Sequence, residues 1–80
     1  MRMARRFLLF QRDDCHLCDL AIEVLAQART PEFASVWIDH DNEMEVRYGE
    51  RVPVLRDDDS GRELDWPFDA AMARAWLDAN

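Results

Sequence analysis

The sequence predicts an α/β fold, a four-stranded mixed sheet flanked by three helices in the order β-α-β-α-β-β-α. Short apolar runs of strand length alternate along the chain with segments of helical period. The last two runs are separated only by a turn sequence, DDDSG, which favours an antiparallel hairpin. With 80 residues, 49% of them hydrophobic, the chain can build one small core. We therefore expect a single domain, residues 1–80.

The first strand and the first helix are predicted from a change of period. Residues 6–11 (RFLLFQ) form a continuous apolar run, which suits a strand buried on both faces. Residues 15–29 then follow a helical period, with Asp13 or Asp14 as the N-cap and Thr30-Pro31 as the end. The apolar face of this helix is predicted to contain Leu17, Ala21, Val24 and Ala28, flanked by Leu20 and Leu25.

The next two elements are a strand and a short helix. Residues 33–39 (FASVWID) contain good strand formers. A helix capped by Asp41 or Asn42 is predicted to run through Tyr48 and to stop at Gly49. A strand, a helix and a strand in succession imply a right-handed parallel crossover, so the first two strands are expected to be parallel.

The C-terminal part is predicted as a hairpin and a helix. Residues 52–56 (VPVLR) form the third strand, and residues 62–66 (RELDW) return antiparallel to it. The acidic run at residues 57–59 is expected to be a solvated turn, since it lacks the ligand spacing of a calcium loop. Asp69 caps the last helix. The buried face of that helix is predicted to contain Ala70, Ala73, Trp76 and Leu77.

Composition and charge exclude several classes of function. The formal net charge is −7 and no aromatic-interleaved basic patch occurs, so nucleic acid is not an expected partner. All ten basic residues are arginine, and without lysine the chain can form neither a Schiff base nor a P-loop. The early apolar run FLLF is shorter than the ~7 to 15 residues of a signal-peptide core. No stretch approaches the ~20 apolar residues of a membrane span. We expect a cytoplasmic protein that does not bind membranes.

The segment CHLC, residues 15–18, holds both cysteines of the chain. Cys15 falls where the first strand gives way to the first helix, and the N–H groups and partial positive charge of a helix N-terminus favour thiolate over thiol. Cys18 follows one turn later, close enough to form a small disulfide. In a cytosolic chain, C-x-x-C beside a βαβ pattern is typical of a redox motif. This pattern predicts Cys15 as the nucleophile and Cys18 as the resolving thiol.

Other interpretations of the pair remain open from the residues alone. Structural zinc needs four ligands, whereas only Cys15, Cys18 and His16 are local and His40 lies at the far end of the second strand. The missing ligand pair favours redox chemistry over zinc. Alternatively, the cysteines are small buried residues without chemistry, although an exposed helix start is a poor place for packing. His16 either stabilises the thiolate as a cation or faces solvent.

CHLC after a buried strand, together with RVPV at residues 51–54, resembles the thioredoxin fold. The short chain is most similar to glutaredoxins, especially to small bacterial glutaredoxin-like proteins, and the resemblance spans nearly all of it. It implies that Pro53 is cis and lies opposite the dithiol. The Val52 backbone N–H and C=O would then pair with an extended, sulfur-bearing substrate.

The resemblance also implies a substrate-binding set that departs from the family pattern. Arg12 matches a basic residue that precedes the first cysteine in glutaredoxins, where it would attract a glutathione carboxylate. His16 and Leu17 stand where the family usually has proline and tyrosine. Asp69 corresponds to an acid that helps to hold the γ-glutamyl end of glutathione, but the segment DWPFDAA lacks the family's two glycines.

The function predicted from these residues is that of a glutaredoxin-like thiol–disulfide oxidoreductase. Its expected partners are a disulfide-containing protein or glutathione, with glutathione as reductant. We expect a monomer that uses no metal. The alternative is a non-catalytic binding module of the same fold, which would hold glutathione, an iron–sulfur cluster shared between two chains, or a protein segment.

Overall fold

The structure, a computed structural model, describes residues 6–79. Its elements are β1 (Phe7–Gln11), α1 (His16–Gln27), β2 (Phe33–Trp37), α2 (Asn42–Tyr48), β3 (Val54–Asp57), β4 (Glu63–Asp65) and α3 (Ala70–Asp78). The four strands form one mixed sheet in the order β2-β1-β3-β4. This architecture confirms the predicted order of elements and the thioredoxin-like α/β fold. No helix within the described residues is long and apolar enough to cross a membrane.

Strand pairing brings three chain segments to one end of the sheet. β1 pairs in parallel with β2, with Gln11 opposite Trp37. It pairs antiparallel with β3, with Phe10 opposite Val54. The residues that follow β1, those that follow β2 and those that precede β3 therefore lie at the same sheet end. The cysteine pair belongs to the first of these segments.

The core lies on both faces of the sheet, because successive strand residues point to opposite sides. The larger buried cluster joins β1 and β3 to α1 and α3, and includes Phe7, Leu9, Leu25, Leu55 and Trp76. The smaller one joins the same strands to α2. Its members are Phe10, Ile38, Tyr48 and Val54. The rings of Phe10 and Tyr48 stack with centroids 4.2 Å apart. The prediction that β1 is buried on both faces agrees with its near-complete burial.

The first helix differs from its prediction in cap and in buried face. Its N-cap is Cys15, not Asp13 or Asp14. Asp14 instead has φ of 54° and turns the chain into the helix, in a left-handed conformation that Asp tolerates better than most residues. The buried face contains Cys18, Ala21, Leu25 and Ala28. These residues follow the three- and four-residue spacing of a helix. Leu17, predicted to be buried, is 45% exposed.

The predicted solvated turn at residues 57–59 is wrong for its first residue. Asp57 is fully buried at the end of β3. It accepts two hydrogen bonds from Arg6, from Nε at 3.0 Å and from Nη2 at 2.8 Å, and one from the Asp59 backbone N–H at 3.0 Å. The bonds from Arg6 lower the pKa of Asp57 far below its ordinary range, although burial alone would raise it. Asp58 and Asp59 are exposed, as expected.

The caps of the other two helices agree with their predictions. Asp41 caps α2, its Oδ1 accepting the Met44 N–H at 3.1 Å. Asp69 caps α3 in the same way, accepting the Met72 N–H at 2.8 Å. Both bonds satisfy donors that a helix N-terminus leaves without an intrahelical partner.

Candidate functional site

The cysteine pair lies where β1 gives way to α1. Cys15 is partly buried, has an extended backbone and caps the helix, with its Sγ accepting the Cys18 N–H at 3.1 Å. The two Cα atoms are 5.2 Å apart, and the two sulfurs are at disulfide distance. Cys18 is only 2% exposed, on the buried face of α1. Cys15 is therefore the sulfur that an incoming molecule reaches first.

The helix N-terminus acts on Cys15 in favour of a thiolate once the pair is reduced. A sulfur at a helix N-terminus accepts a hydrogen bond from a backbone N–H and lies close to the positive end of the helix dipole. Both effects stabilise the thiolate relative to the thiol. Asp13, Asp14 and Asp19 surround the same position and act against the thiolate. The site thus combines a local arrangement that promotes nucleophilic sulfur with a negative surrounding surface.

A cleft of about 320 Å³ opens beside the cysteines. Its walls are formed by residues 11–16, by Cys18 and Asp19 in the first turn of α1, and by Trp37 at the end of β2. Trp37 is 53% exposed. In the sheet order β2-β1-β3-β4, the cleft extends from the cysteines towards β2. The sulfurs therefore share a concave surface with one large aromatic ring and several carboxylates.

Arg12 lines this cleft, but its guanidinium is already engaged. Nη1 donates to the Glu45 carboxylate at 2.6 Å, and Nη2 donates to the Gly49 carbonyl at 2.9 Å. The hydrogen bond to Glu45 raises the pKa of Arg12 above its ordinary value. These contacts tie the end of β1 to α2. The arginine that was expected to attract a glutathione carboxylate thus has a structural partner in this structure.

Val52 and Pro53 lie at the same sheet end, on the β3 side of the cysteines. Pro53 is buried directly before β3, and the Val52–Pro53 peptide bond is cis. The Trp66 N–H donates to the Pro53 carbonyl at 3.1 Å. The Val52 N–H donates to the Tyr48 carbonyl at 3.0 Å. Because that donor is used within the protein, the predicted pairing of the Val52 N–H with a substrate does not match this structure.

A hydrogen-bonded network holds the segment before Pro53 in place. The Tyr48 hydroxyl donates to Glu63 at 2.6 Å, and Arg51 donates to Glu63 at 2.6 Å and to Asp65 at 2.8 Å and 2.9 Å. Burial, with the hydrogen bond to Glu63, raises the pKa of Tyr48. Burial alone would raise the pKa of Glu63, but the bonds from Tyr48 and its arginine partners outweigh it and lower that pKa. The end of α2 is thereby joined to β4.

The remaining predicted site residues are divided between the cleft and other surfaces. His16 is the first residue of α1, exposed, and lines the cleft. Leu17 is exposed but is not among the residues that line it. Asp69 is an exposed helix cap on α3 and is likewise not among them. The structure therefore brings His16 and Arg12 to the cysteines, and it gives Asp69 a capping role.

Trp37 in the cleft wall, and Asp39 just outside it, were not anticipated as site residues from the sequence. Trp37 was interpreted only as a strand former, although the parallel crossover already implied that the end of β2 lies beside the end of β1. Asp39, two residues beyond Trp37, accepts the Asp13 backbone N–H at 2.8 Å, which joins the two loops. Within residues 6–79, no group of three or more His, Cys, Asp or Glu side chains is arranged to hold a metal ion.

Comparison with known proteins places this geometry in a family. The family described as glutaredoxin-like domain (DUF836) matches residues 6–78. The X-ray structure of the structural-genomics target protein XcR50 from X. campestris is 66% identical, with a TM-score of 0.89, over 92% of this chain and 97% of that chain. The solution structure of the target protein XcR50 is 64% identical, with a TM-score of 0.88, over 95% and 96%.

A more distant structure shares the same fold. The solution structure of protein Ne2328 from Nitrosomonas europaea is 26% identical, with a TM-score of 0.74, over 95% of this chain and 94% of that chain. Among curated proteins, none matches the chain significantly. Since the family match covers nearly all of the sequence and includes both cysteines, the chain belongs to the glutaredoxin-like domain (DUF836) family.

Proposed function

We propose that this protein is a thiol–disulfide oxidoreductase that reduces protein or glutathione mixed disulfides with the Cys15–Cys18 dithiol. One observation carries the proposal. Cys15, a partly exposed residue, caps α1 and its sulfur accepts the Cys18 N–H, while the sulfur of the buried Cys18 is at disulfide distance from it. This is the arrangement that a nucleophilic and a resolving thiol require. Membership of a glutaredoxin-like family supports the same chemistry.

The proposed cycle moves two electrons from the dithiol to the substrate. The Cys15 thiolate attacks one sulfur of a substrate disulfide, forming a mixed disulfide and releasing the other half as a thiolate, which takes up a proton. Cys18 then gives up its proton and attacks Cys15 Sγ. This releases the second substrate thiol and leaves the Cys15–Cys18 disulfide. Two glutathione thiols, or the dithiol of a reductase, return the protein to its reduced form and are themselves oxidised to a disulfide.

The direct test is a paired measurement of oxidation and turnover. We expect mild oxidation of the reduced protein to remove two hydrogens, detected as a mass decrease in the intact chain. We also expect catalytic reduction of hydroxyethyl disulfide by glutathione, followed through the glutathione disulfide formed. A chain that loses no hydrogens and shows no turnover would contradict the proposal.

The structure also predicts how Arg12 behaves in that assay. Because its guanidinium is held by Glu45 and Gly49, we expect Arg12→Gln to lower the melting temperature while leaving the KM for glutathione unchanged. Glu45→Gln, which removes the same ion pair from the other side, is the matched variant and should behave alike. If Arg12→Gln raises that KM and Glu45→Gln does not, Arg12 binds glutathione directly.

A further inference from the structure

The cleft beside the cysteines has an unbalanced charge. Three carboxylates line it, those of Asp13, Asp14 and Asp19, whereas Arg12 is its one arginine among the described residues. That arginine already forms an ion pair with Glu45, which lies outside the cleft wall, at 2.6 Å. Its charge is thus largely neutralised before any ligand arrives. A molecule bound next to Cys15 meets a negative surface.

An independent feature of the same cleft also suits positive charge. Trp37 lies in its wall and is 53% exposed. The face of an indole ring attracts ammonium and guanidinium groups, and tryptophan does so more strongly than other aromatic side chains. A cationic group seated near the sulfurs would lie beside this exposed ring and close to the carboxylates. The acidic residues and the indole ring therefore both favour a positively charged ligand.

We infer that the preferred substrates are disulfides with positive charge beside the reacting sulfurs, such as a cystine flanked by arginine or lysine in a protein segment. The inference rests on the proposed function and specifies its substrate class. Electrostatic complementarity of this kind raises association rates and disfavours partners of like charge. Glutathione, whose two carboxylates outnumber its one ammonium group, is by the same rule a less favoured partner than a cationic thiol.

The carboxylates have a second effect that has to be separated from selectivity. They oppose ionisation of Cys15, so they lower its reactivity towards every disulfide equally. A ratio of rates for two substrates attacked by the same thiolate cancels this common factor. The ratio therefore reports only how the cleft discriminates between substrate charges.

Three small disulfides of similar size provide the test. Cystamine carries two ammonium groups, hydroxyethyl disulfide is neutral, and dithiodipropionate carries two carboxylates. Each is reduced by the protein dithiol to two thiols as the protein forms its disulfide. Rate constants are divided by those for neutral dithiothreitol, which removes the intrinsic reactivity of each probe. We expect cystamine to react fastest and dithiodipropionate slowest, with each exposed carboxylate contributing up to about fivefold. The differences should shrink as salt is raised.

Substitutions then assign the selectivity to the cleft. The double change Asp14→Asn and Asp19→Asn should lower the cystamine-to-dithiodipropionate ratio, and asparagine tolerates the left-handed backbone at position 14. Glu23→Gln is the matched control, because it removes a charge from an exposed position on α1 that does not line the cleft. Trp37→Leu should lower the cystamine rate relative to that of hydroxyethyl disulfide.

Two outcomes would overturn the inference while the proposed function stands. One is equal normalised rates for the three probes in the unmodified protein. The other is a shift of the ratio by Glu23→Gln as large as that from the double change at Asp14 and Asp19. Reduction of none of the probes would refute the proposed function, and this inference with it.

Discussion

Replacing Cys15 by serine is expected to abolish disulfide reduction, lowering kcat/KM by about a thousandfold or more. The reason is that the thiolate is the nucleophile in exchange, and a hydroxyl at the same N-cap is not ionised at neutral pH. Serine is itself a good helix cap, so α1 should keep its start and the fold should persist. Disulfide-reduction rates, with circular dichroism as the check on folding, measure this effect. Full activity in the variant would contradict the assignment of Cys15.

The complementary change at position 18 is expected to stop the cycle halfway. In Cys18→Ala, Cys15 still attacks, but nothing resolves the mixed disulfide, so the protein accumulates with one substrate thiol attached. Alanine suits this buried position better than serine, because it adds no polar group to the core. The chain has no other cysteine, so the added mass can lie only at Cys15. If Cys18→Ala forms no adduct while Cys15→Ser does, the two roles are exchanged.

The order of elements could be predicted because each element carries a strong local signal. The run at residues 6–11 is too short and too apolar for anything but a buried strand. Asp41 and Asp69 each accept an N–H three residues further on, an interaction contained in the local sequence. The start of β3 was predicted two residues too early, at residue 52. That strand begins at Val54, since Pro53 has no N–H for the ladder and the Val52 N–H bonds to α2.

The site was predictable where it depends on neighbours in sequence and not where it depends on tertiary contacts. Cys15 and Cys18 are three positions apart, so the helix alone brings their sulfurs together. The partner of Arg12 lies 33 positions away on α2. No local pattern indicates that pairing, and the arginine was therefore assigned to a ligand. Trp37 lies in the cleft because β1 and β2 pair in parallel. The order of elements predicts that pairing, but no motif in the sequence marks the Trp37 ring as part of a site.

Asp57 illustrates the same limit in the core, because its partner Arg6 is 51 positions away. In sequence it is the first of three aspartates and resembles a solvated turn. In the structure it is buried and receives both Arg6 hydrogen bonds, whereas its neighbour Asp58 has a 55% exposed side chain and pairs with Arg56 at the surface. Two adjacent carboxylates thus have opposite environments. This contrast provides a built-in control for a stability measurement.

Asp57→Asn is expected to lower the free energy of unfolding at pH 7 by about 1 to 3 kcal/mol, the scale of hydrogen bonds to a charged group. That is a large part of the roughly 3 to 5 kcal/mol expected for a core of this size. The amide offers one acceptor oxygen where the carboxylate offers two. Asp58→Asn, the matched control, should cost less than about 1 kcal/mol, as exposed ion pairs do. Urea unfolding of each variant in one fixed redox state measures both values.

The stability difference between the unmodified protein and Asp57→Asn should depend on pH. That dependence shows whether the carboxylate stabilises the fold through its charge or through its packing. The pKa of Asp57 is lower in the folded protein than in the unfolded chain, where it is ordinary at about 3.9. As the pH falls, the unfolded chain therefore takes up this proton before the folded protein does. The stabilisation by the Asp57 carboxylate is complete at pH values well above the unfolded pKa and declines as the pH falls below that pKa. The gap between the unmodified protein and Asp57→Asn should accordingly be constant from pH 7 to about 5 and narrow towards pH 3. A gap that keeps its full size at pH 3 would mean that the carboxylate stabilises the fold by packing, not by its charge.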